Sequence, residues 1–215
     1  MKKIILSIIC MIAIQLSTQA QTTDFFPASN TIWIEDFSGY TADTGITTEN
    51  GAIINQGDYD ASFSKWKINS NNVDLSRTLT ASVKNLRAAN VYAPSFQVAN
   101  TGGDLEWESE EIDVTAFPLT YLSILLENNG NMSENEYIDV YWKIVGVGNY
   151  ILIDDNNINH TLIGSSPDVC WNAIKIFKDL TVTNPGKVQI KVVFKSENSN
   201  NVLKIKKVEL LGRNN

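Results

Sequence analysis

The sequence predicts an all-β fold, an antiparallel sandwich or barrel. Apolar residues recur at every second position in several stretches, Asn-, Asp- and Gly-rich clusters separate those stretches, and helical periodicity is nearly absent. Strands are expected first over residues 31–37 and 64–68. Residues 74–89 are the one stretch considered for a helix, and their Val, Thr and Ser content counts against even that. Further strands are expected over 119–126, 137–144 and 150–153. In 137–144 the alternation is clean: Ile138, Val140, Trp142 and Ile144 share one face, while Tyr137, Asp139, Tyr141 and Lys143 share the other. Residues 187–195 repeat the pattern, with Val188, Ile190, Val192 and Phe194 on the apolar face. The last strand, 202–211, breaks step at Lys206-Lys207, because Leu203 and Ile205 are followed by Val208 and Leu210; a bulge there would return the apolar residues to one face. Polar clusters at 128–131, 154–157 and 196–201 supply turns.

The chain has 215 residues and opens with Met1-Lys2-Lys3, an apolar run from Ile4 to Leu16 and Ser17-Thr18-Gln19-Ala20. A basic start, an apolar core too short to span a bilayer and small residues before Gln21 describe a secretory signal peptide. Residues 1–20 are therefore expected to be removed on export to the periplasm, outer surface or medium, leaving 21–215 as a single domain. Removing Lys2 and Lys3 takes the formal charge from −7 to −9, with 15 basic residues against 24 acidic. An excess of negative charge disfavours nucleic acid and anionic membrane as partners. Cys10 leaves with the signal, so Cys170 has no intramolecular partner, and the single histidine, His160, excludes multi-histidine metal centres. Beyond residue 20 no apolar stretch approaches the roughly 20 residues of a membrane-crossing helix.

Several segments resemble exported Bacteroidetes jelly-roll domains of the galactose-binding-like or adhesin-like β-sandwich type. Trp33-Ile34-Glu35-Asp36-Phe37 resembles their E-(D/N)-F opening, and Trp107 to Val114 their W-x-S-x-x-I-D-V/I strand. Met132 to Tyr141 resembles M-E-x-x-D-Y-I-x-V-Y, with Glu136 at the acidic position and one extra residue before it. Leu203 to Val208 resembles Y-x-I-D-N-V. The resemblance implies an antiparallel two-sheet sandwich of jelly-roll type. It also implies a calcium site near the terminal strands, for which Glu35, Asp36 and Glu209 are the candidate ligands; Lys206 stands where the pattern carries Asp, which removes an oxygen ligand and adds repulsion.

Catalytic patterns are weak. Glu111-Ile112-Asp113 resembles part of a laminarinase-type strand, but Thr115 and Ala116 stand where the second Glu of a carboxylate pair should fall. His160 has Ser165, Ser166 and Asp168 nearby in sequence without a nucleophile-elbow pattern. Asp154-Asp155-Asn156-Asn157 lacks the Gly and closing Glu of an EF-hand loop. Aromatic rings beside hydrogen-bonding groups are better suited to holding a sugar. Tyr137, Asp139, Tyr141 and Lys143 form the expected platform, with Trp107 and Trp171 as loop-borne stacking candidates. The expected function is thus non-catalytic binding of an extracellular polysaccharide or glycan, or adhesion. The alternative is a structural or protein-interaction subunit of a cell-surface assembly, and last comes a divergent carbohydrate-active hydrolase or lyase.

Overall fold

The computed structural model describes residues 30–38, 45–47, 65–74, 76–77, 79–88, 91–129, 132–153, 160–163, 174–180 and 186–214. The expected signal peptide, Asp154 to Asn157, Ser165, Ser166, Asp168, Cys170 and Trp171 lie outside them. Among the described residues no helix is long and apolar enough to cross a membrane.

The strands are β1 (Asn30–Glu35), β2 (Gly45–Thr47), β3 (Trp66–Asn72), β4 (Thr80–Ala88), β5 (Val91–Ala99), β6 (Asp104–Ser109) and β7 (Ile112–Asp113). They continue with β8 (Leu119–Asn129), β9 (Tyr137–Ile144), β10 (Ile151–Leu152), β11 (Leu162–Ile163), β12 (Ile174–Asp179), β13 (Lys187–Lys195) and β14 (Val202–Arg213). One sheet has the order β12-β8-β14-β5-β4-β2 with β1 also on β14; the other has β10-β9-β13-β6-β3, with β11 on β9 and β7 on β13. The pairings are antiparallel. This is an all-β two-sheet sandwich, one of the two architectures that the alternation predicts and the one that the resemblance implies.

β14 organises the first sheet. β8 pairs with it from Val202 to Arg213, so the other side is shared, with β5 taking Leu203 to Ile205 and β1 taking Val208 to Gly212. The register against β8 shifts between Ile205 and Lys207, which is the expected bulge; Leu203, Ile205, Val208 and Leu210 are all fully buried as a result.

The considered helix is not present: its second half is β4, paired with β5 along all nine residues from Thr80↔Ala99 to Ala88↔Val91. Tertiary pairing overrides any weak local helical tendency there. β5 itself was not legible from alternation, because Ser95, Phe96, Gln97, Val98 and Ala99 are all buried and a strand covered on both faces loses its period of two. Pro94, which lacks a backbone donor, sits before the stretch where β14 joins β5, so it interrupts no ladder on that side.

The core lies between the sheets. Phe96 of β5 meets Trp66 of β3 at a ring separation of 5.4 Å and Phe194 of β13 at 5.9 Å, joining the two layers. Phe37 enters this cluster immediately after β1, 6.2 Å from Trp66, 6.3 Å from Phe96 and 6.5 Å from Trp107. It does so with a left-handed backbone, φ 59°, an unfavourable conformation for a residue with a Cβ. The buried carboxylate of Glu35 accepts the Phe37 N–H at 2.6 Å and holds that turn. The Glu-Asp-Phe segment is thus a device for seating a ring in the core.

Candidate functional site

The face of the second sheet that points away from the core is built from four neighbouring strands. Backbone register sets the rows. Tyr141 of β9 stands opposite Lys191 of β13, Lys191 opposite Glu108 of β6, and Glu108 opposite Lys67 of β3. The next row runs Asp139, Val193, Glu106 and Asn69 by the same pairings, and Tyr137 lies opposite Lys195. Residues one step away on these strands, among them Ile138, Val140, Val192, Phe194, Leu105 and Trp107, are fully buried in the core. Alternation alone therefore delivers polar and aromatic side chains from four strands to one surface.

Within these rows the side chains are tied together. Lys67 reaches Glu108 at 2.7 Å, Gln189 donates to Glu108 at 2.9 Å and the Tyr150 hydroxyl donates to it at 2.8 Å. Lys191 lies 3.1 Å from Glu106, which also accepts from Asn69 at 3.0 Å. Burial opposes ionisation of Glu108, yet the hydrogen bonds from Lys67 and Tyr150, with the charges of Lys67 and Lys143, hold its pKa below the ordinary value. Tyr150 sits beneath two ammonium groups, 4.4 Å from Lys143 Nζ and 4.6 Å from Lys191 Nζ. Burial, followed by the bond to Glu108, pushes its phenol well up.

A second group surrounds Asp139. Its side chain is buried and accepts from the Thr161 N–H at 2.8 Å, contacts His160 Nδ1 at 2.9 Å and receives the Tyr141 hydroxyl at 3.4 Å. Burial raises the Asp139 pKa despite these partners. The Thr161 hydroxyl accepts from the Val140 N–H at 2.9 Å and donates to the Ile153 carbonyl at 2.6 Å, bridging the gap between the short strands β10 and β11 on the edge of β9. The His160 ring stacks on Tyr137 at 4.2 Å, and the Tyr137 hydroxyl donates to Asp104. Burial raises the phenols of Tyr137 and Tyr141, with the Asp104 bond adding in the first case and the Asp139 charge in the second; Tyr141 reaches about 12.

Of the predicted ligand-binding residues, Tyr137, Asp139, Tyr141 and Lys143 do share this face; Asp139 is buried and the other three are half-buried. Trp107 requires correction: it is on β6, fully buried, 6.1 Å from Trp66, and its indole N–H has no hydrogen-bond partner among the described residues. The neighbouring β3 and β13 pair on either side of it and its apolar face is the core face, so it cannot stack on a ligand. Trp171 is outside the described residues.

The predicted calcium ligands are not assembled. Asp36 receives the Ser38 N–H and hydroxyl at 3.0 and 2.6 Å, Glu35 caps Phe37, and Glu209 pairs with Lys207 at 2.9 Å. Among the described residues no group of three or more His, Cys, Asp or Glu side chains could hold a metal ion. Glu111 pairs with Lys187 at 3.1 Å and Asp113 with the Thr115 hydroxyl at 2.5 Å.

Sequence reasoning missed Glu106, Glu108, Lys191, Lys195 and Tyr150 as neighbours of the β9 platform, and missed that His160 serves Asp139. The alternation of 187–195 was a usable signal for Lys191, but pairing β13 beside β9 is a long-range fact that no local pattern carries.

No protein-family model matches this chain, and no curated protein matches it. Among solved structures it is similar to TmCBM61 in complex with β-1,4-galactotriose, at 11% identity and TM-score 0.42, over 73% of this chain and 92% of that one. It is also similar to the CBM22-1 xylan-binding domain of Xyn10C from Paenibacillus barcinonensis, at 8% identity and TM-score 0.43, over 88% and 99%. A third is the enzymatically active domain of the bacteriophage CBA120 tailspike protein 4, at 12% identity and TM-score 0.43, over 75% of this chain and 21% of that one.

Proposed function

We propose that this chain is an exported, non-catalytic module that binds extracellular glycan on the outer face of its second sheet. The observation that carries the proposal is the convergence of Tyr137, Tyr141, Tyr150 and the His160 ring with fixed carboxylates and lysines on that face. Sugar rings present apolar C–H surfaces and hydroxyls that both donate and accept, and aromatic planes beside charged hydrogen-bonding groups meet both demands. The carboxylates are oriented before a ligand arrives, which lowers the ordering cost of binding. Lysine stems are flexible, so Lys143, 4.4 Å over the Tyr150 ring, can swing off it for a sugar ring while Lys191 keeps its pair with Glu106.

A glycan array on protein lacking residues 1–20, followed by titration of the best ligand, tests this. Tyr141→Ala and Tyr150→Ala should each weaken binding by about tenfold, the worth of one aromatic contact of about 1.4 kcal/mol. Binding to no glycan, or binding that both variants keep intact, refutes it. Export is tested by the mass of the protein recovered outside the cytoplasm, expected to begin at Gln21.

Exposed Val147 and Ile151, at 76% and 54%, favour a second possibility, contact with a protein partner at the β9–β10 turn. Capture of a partner that Val147→Ser, Ile151→Ser abolishes, with no glycan bound, would support it instead.

A further inference from the structure

We infer that the ligand of this face is an uncharged glycan, and that the face discriminates against uronate-rich and sulfated chains; the inference rests on glycan binding and names its substrate class. A site that reads an anionic polymer needs cations free to pair with it. Here each lysine of the face is already engaged. Lys67 is 2.7 Å from Glu108, Lys191 is 3.1 Å from Glu106 and Lys195 is 3.7 Å from Glu197. Lys143 lies 4.4 Å over the Tyr150 ring and close enough to Glu108 to help keep it ionised.

The carboxylates are held in place by neutral donors as well. Asn69 and Gln189 direct amide donors at Glu106 and Glu108, and Asp139 is fixed by the Thr161 N–H. An incoming carboxylate or sulfate would meet oriented negative oxygens, and to gain Lys67, Lys191 or Lys195 it would have to break an existing pair. The formal charge of −9 without residues 1–20, 15 basic residues against 24 acidic, adds long-range repulsion. A neutral sugar faces no such cost, because its hydroxyls can donate to the unused lone pairs of the same carboxylates.

Affinity electrophoresis tests this with the whole domain and four uncharged polymers, galactan, xylan, mannan and mixed-linkage β-glucan, beside polygalacturonate, alginate, a sulfated galactan and the cationic chitosan. Each is run at about 20 and about 500 mM NaCl, where screening lengths differ several-fold. The expected result is retardation by at least one uncharged polymer that changes less than about twofold with salt, and binding at least about tenfold weaker to every anionic one. Tighter binding to a polyanion or to chitosan, lost at high salt, overturns this inference while leaving glycan binding in place. Binding to none of them overturns glycan binding itself, and this inference with it. As an independent check, the double variant Glu106→Gln, Glu108→Gln releases Lys191 and Lys67 and should gain polygalacturonate binding at low salt. A folded double variant without that gain shows that the pairing does not exclude anions, and refutes the inference.

Discussion

Glu136 ends the turn before β9, and replacing it by Gln should be almost as damaging as replacing it by Ala. The carboxylate is fully buried. One oxygen accepts from the Ser133 N–H at 2.7 Å and the Asn201 amide at 2.6 Å; the other accepts from the Glu197 N–H at 2.8 Å and, more loosely, the Ser196 hydroxyl at 3.5 Å. Glutamine keeps the shape but turns one acceptor into a donor, and in either amide orientation that NH2 faces a backbone N–H. With the NH2 towards Ser133 and Asn201 two donors lose their acceptor; with it towards Glu197 that backbone N–H does, while the Ser196 hydroxyl keeps the Asn201 carbonyl at 2.8 Å. Hydrogen bonds to charged groups contribute about 1.5–3 kcal/mol each, and the sum is less than additive within one network, so a loss of about 3–4 kcal/mol is expected for Gln and about 3–5 for Ala. That is a large part of a typical domain stability of about 5–15 kcal/mol. Urea unfolding of wild type, Glu136→Gln and Glu136→Ala measures it, with exposed Glu134→Gln as the near-neutral control. A Glu136→Gln protein within about 0.5 kcal/mol of wild type would refute the proposed geometry. Because Tyr137 follows directly, the same network fixes where β9 begins.

Two further outcomes follow from the core and the tyrosines. Phe37→Ala should cost about 3–5 kcal/mol in the same assay, and Phe37→Gly should be no worse than Phe37→Ala, reversing the usual order, because the site demands φ 59°. A glycine variant clearly less stable than the alanine variant would contradict the left-handed turn. Tyr141 has a folded pKa raised from 10.0 to about 12, so the folded state holds its proton more tightly. The stability it contributes is fully present below pH 10 and is lost as pH rises towards 12; Tyr141→Phe should therefore unfold less steeply with pH across that window, as followed by circular dichroism. Identical alkaline profiles would count against a half-buried phenol beside Asp139.

Strands with one covered face were readable from the sequence, and β9 and β13 were read to the residue because their inner positions are Ile, Val, Trp and Phe while their outer ones are largely polar. Even the bulge at Lys206-Lys207 was legible, since two lysines in succession break the apolar alternation. β5 was not, because burial on both faces erases the contrast on which the method depends. The site divides in the same way. Tyr137, Asp139, Tyr141 and Lys143 lie on one strand, so local alternation places them together; Glu106, Glu108, Lys191, Tyr150 and His160 join them through pairings and a loop contact that span up to 85 residues of sequence. Trp107 was expected on a loop, whereas it belongs to a strand that lies between two others and turns the indole inward. Glu35 was read as a metal ligand, and its position shows a different use, an acceptor that seats Phe37.

The most direct test of the account is to map where a bound oligosaccharide sits, by amide and side-chain NMR titration of the labelled domain. The prediction is that the largest shifts fall on Tyr137, Tyr141, Tyr150, His160 and Lys191, with little change along the outer side of β8 and β14. Saturable shifts confined to that opposite sheet, with the tyrosine signals unmoved, would contradict it.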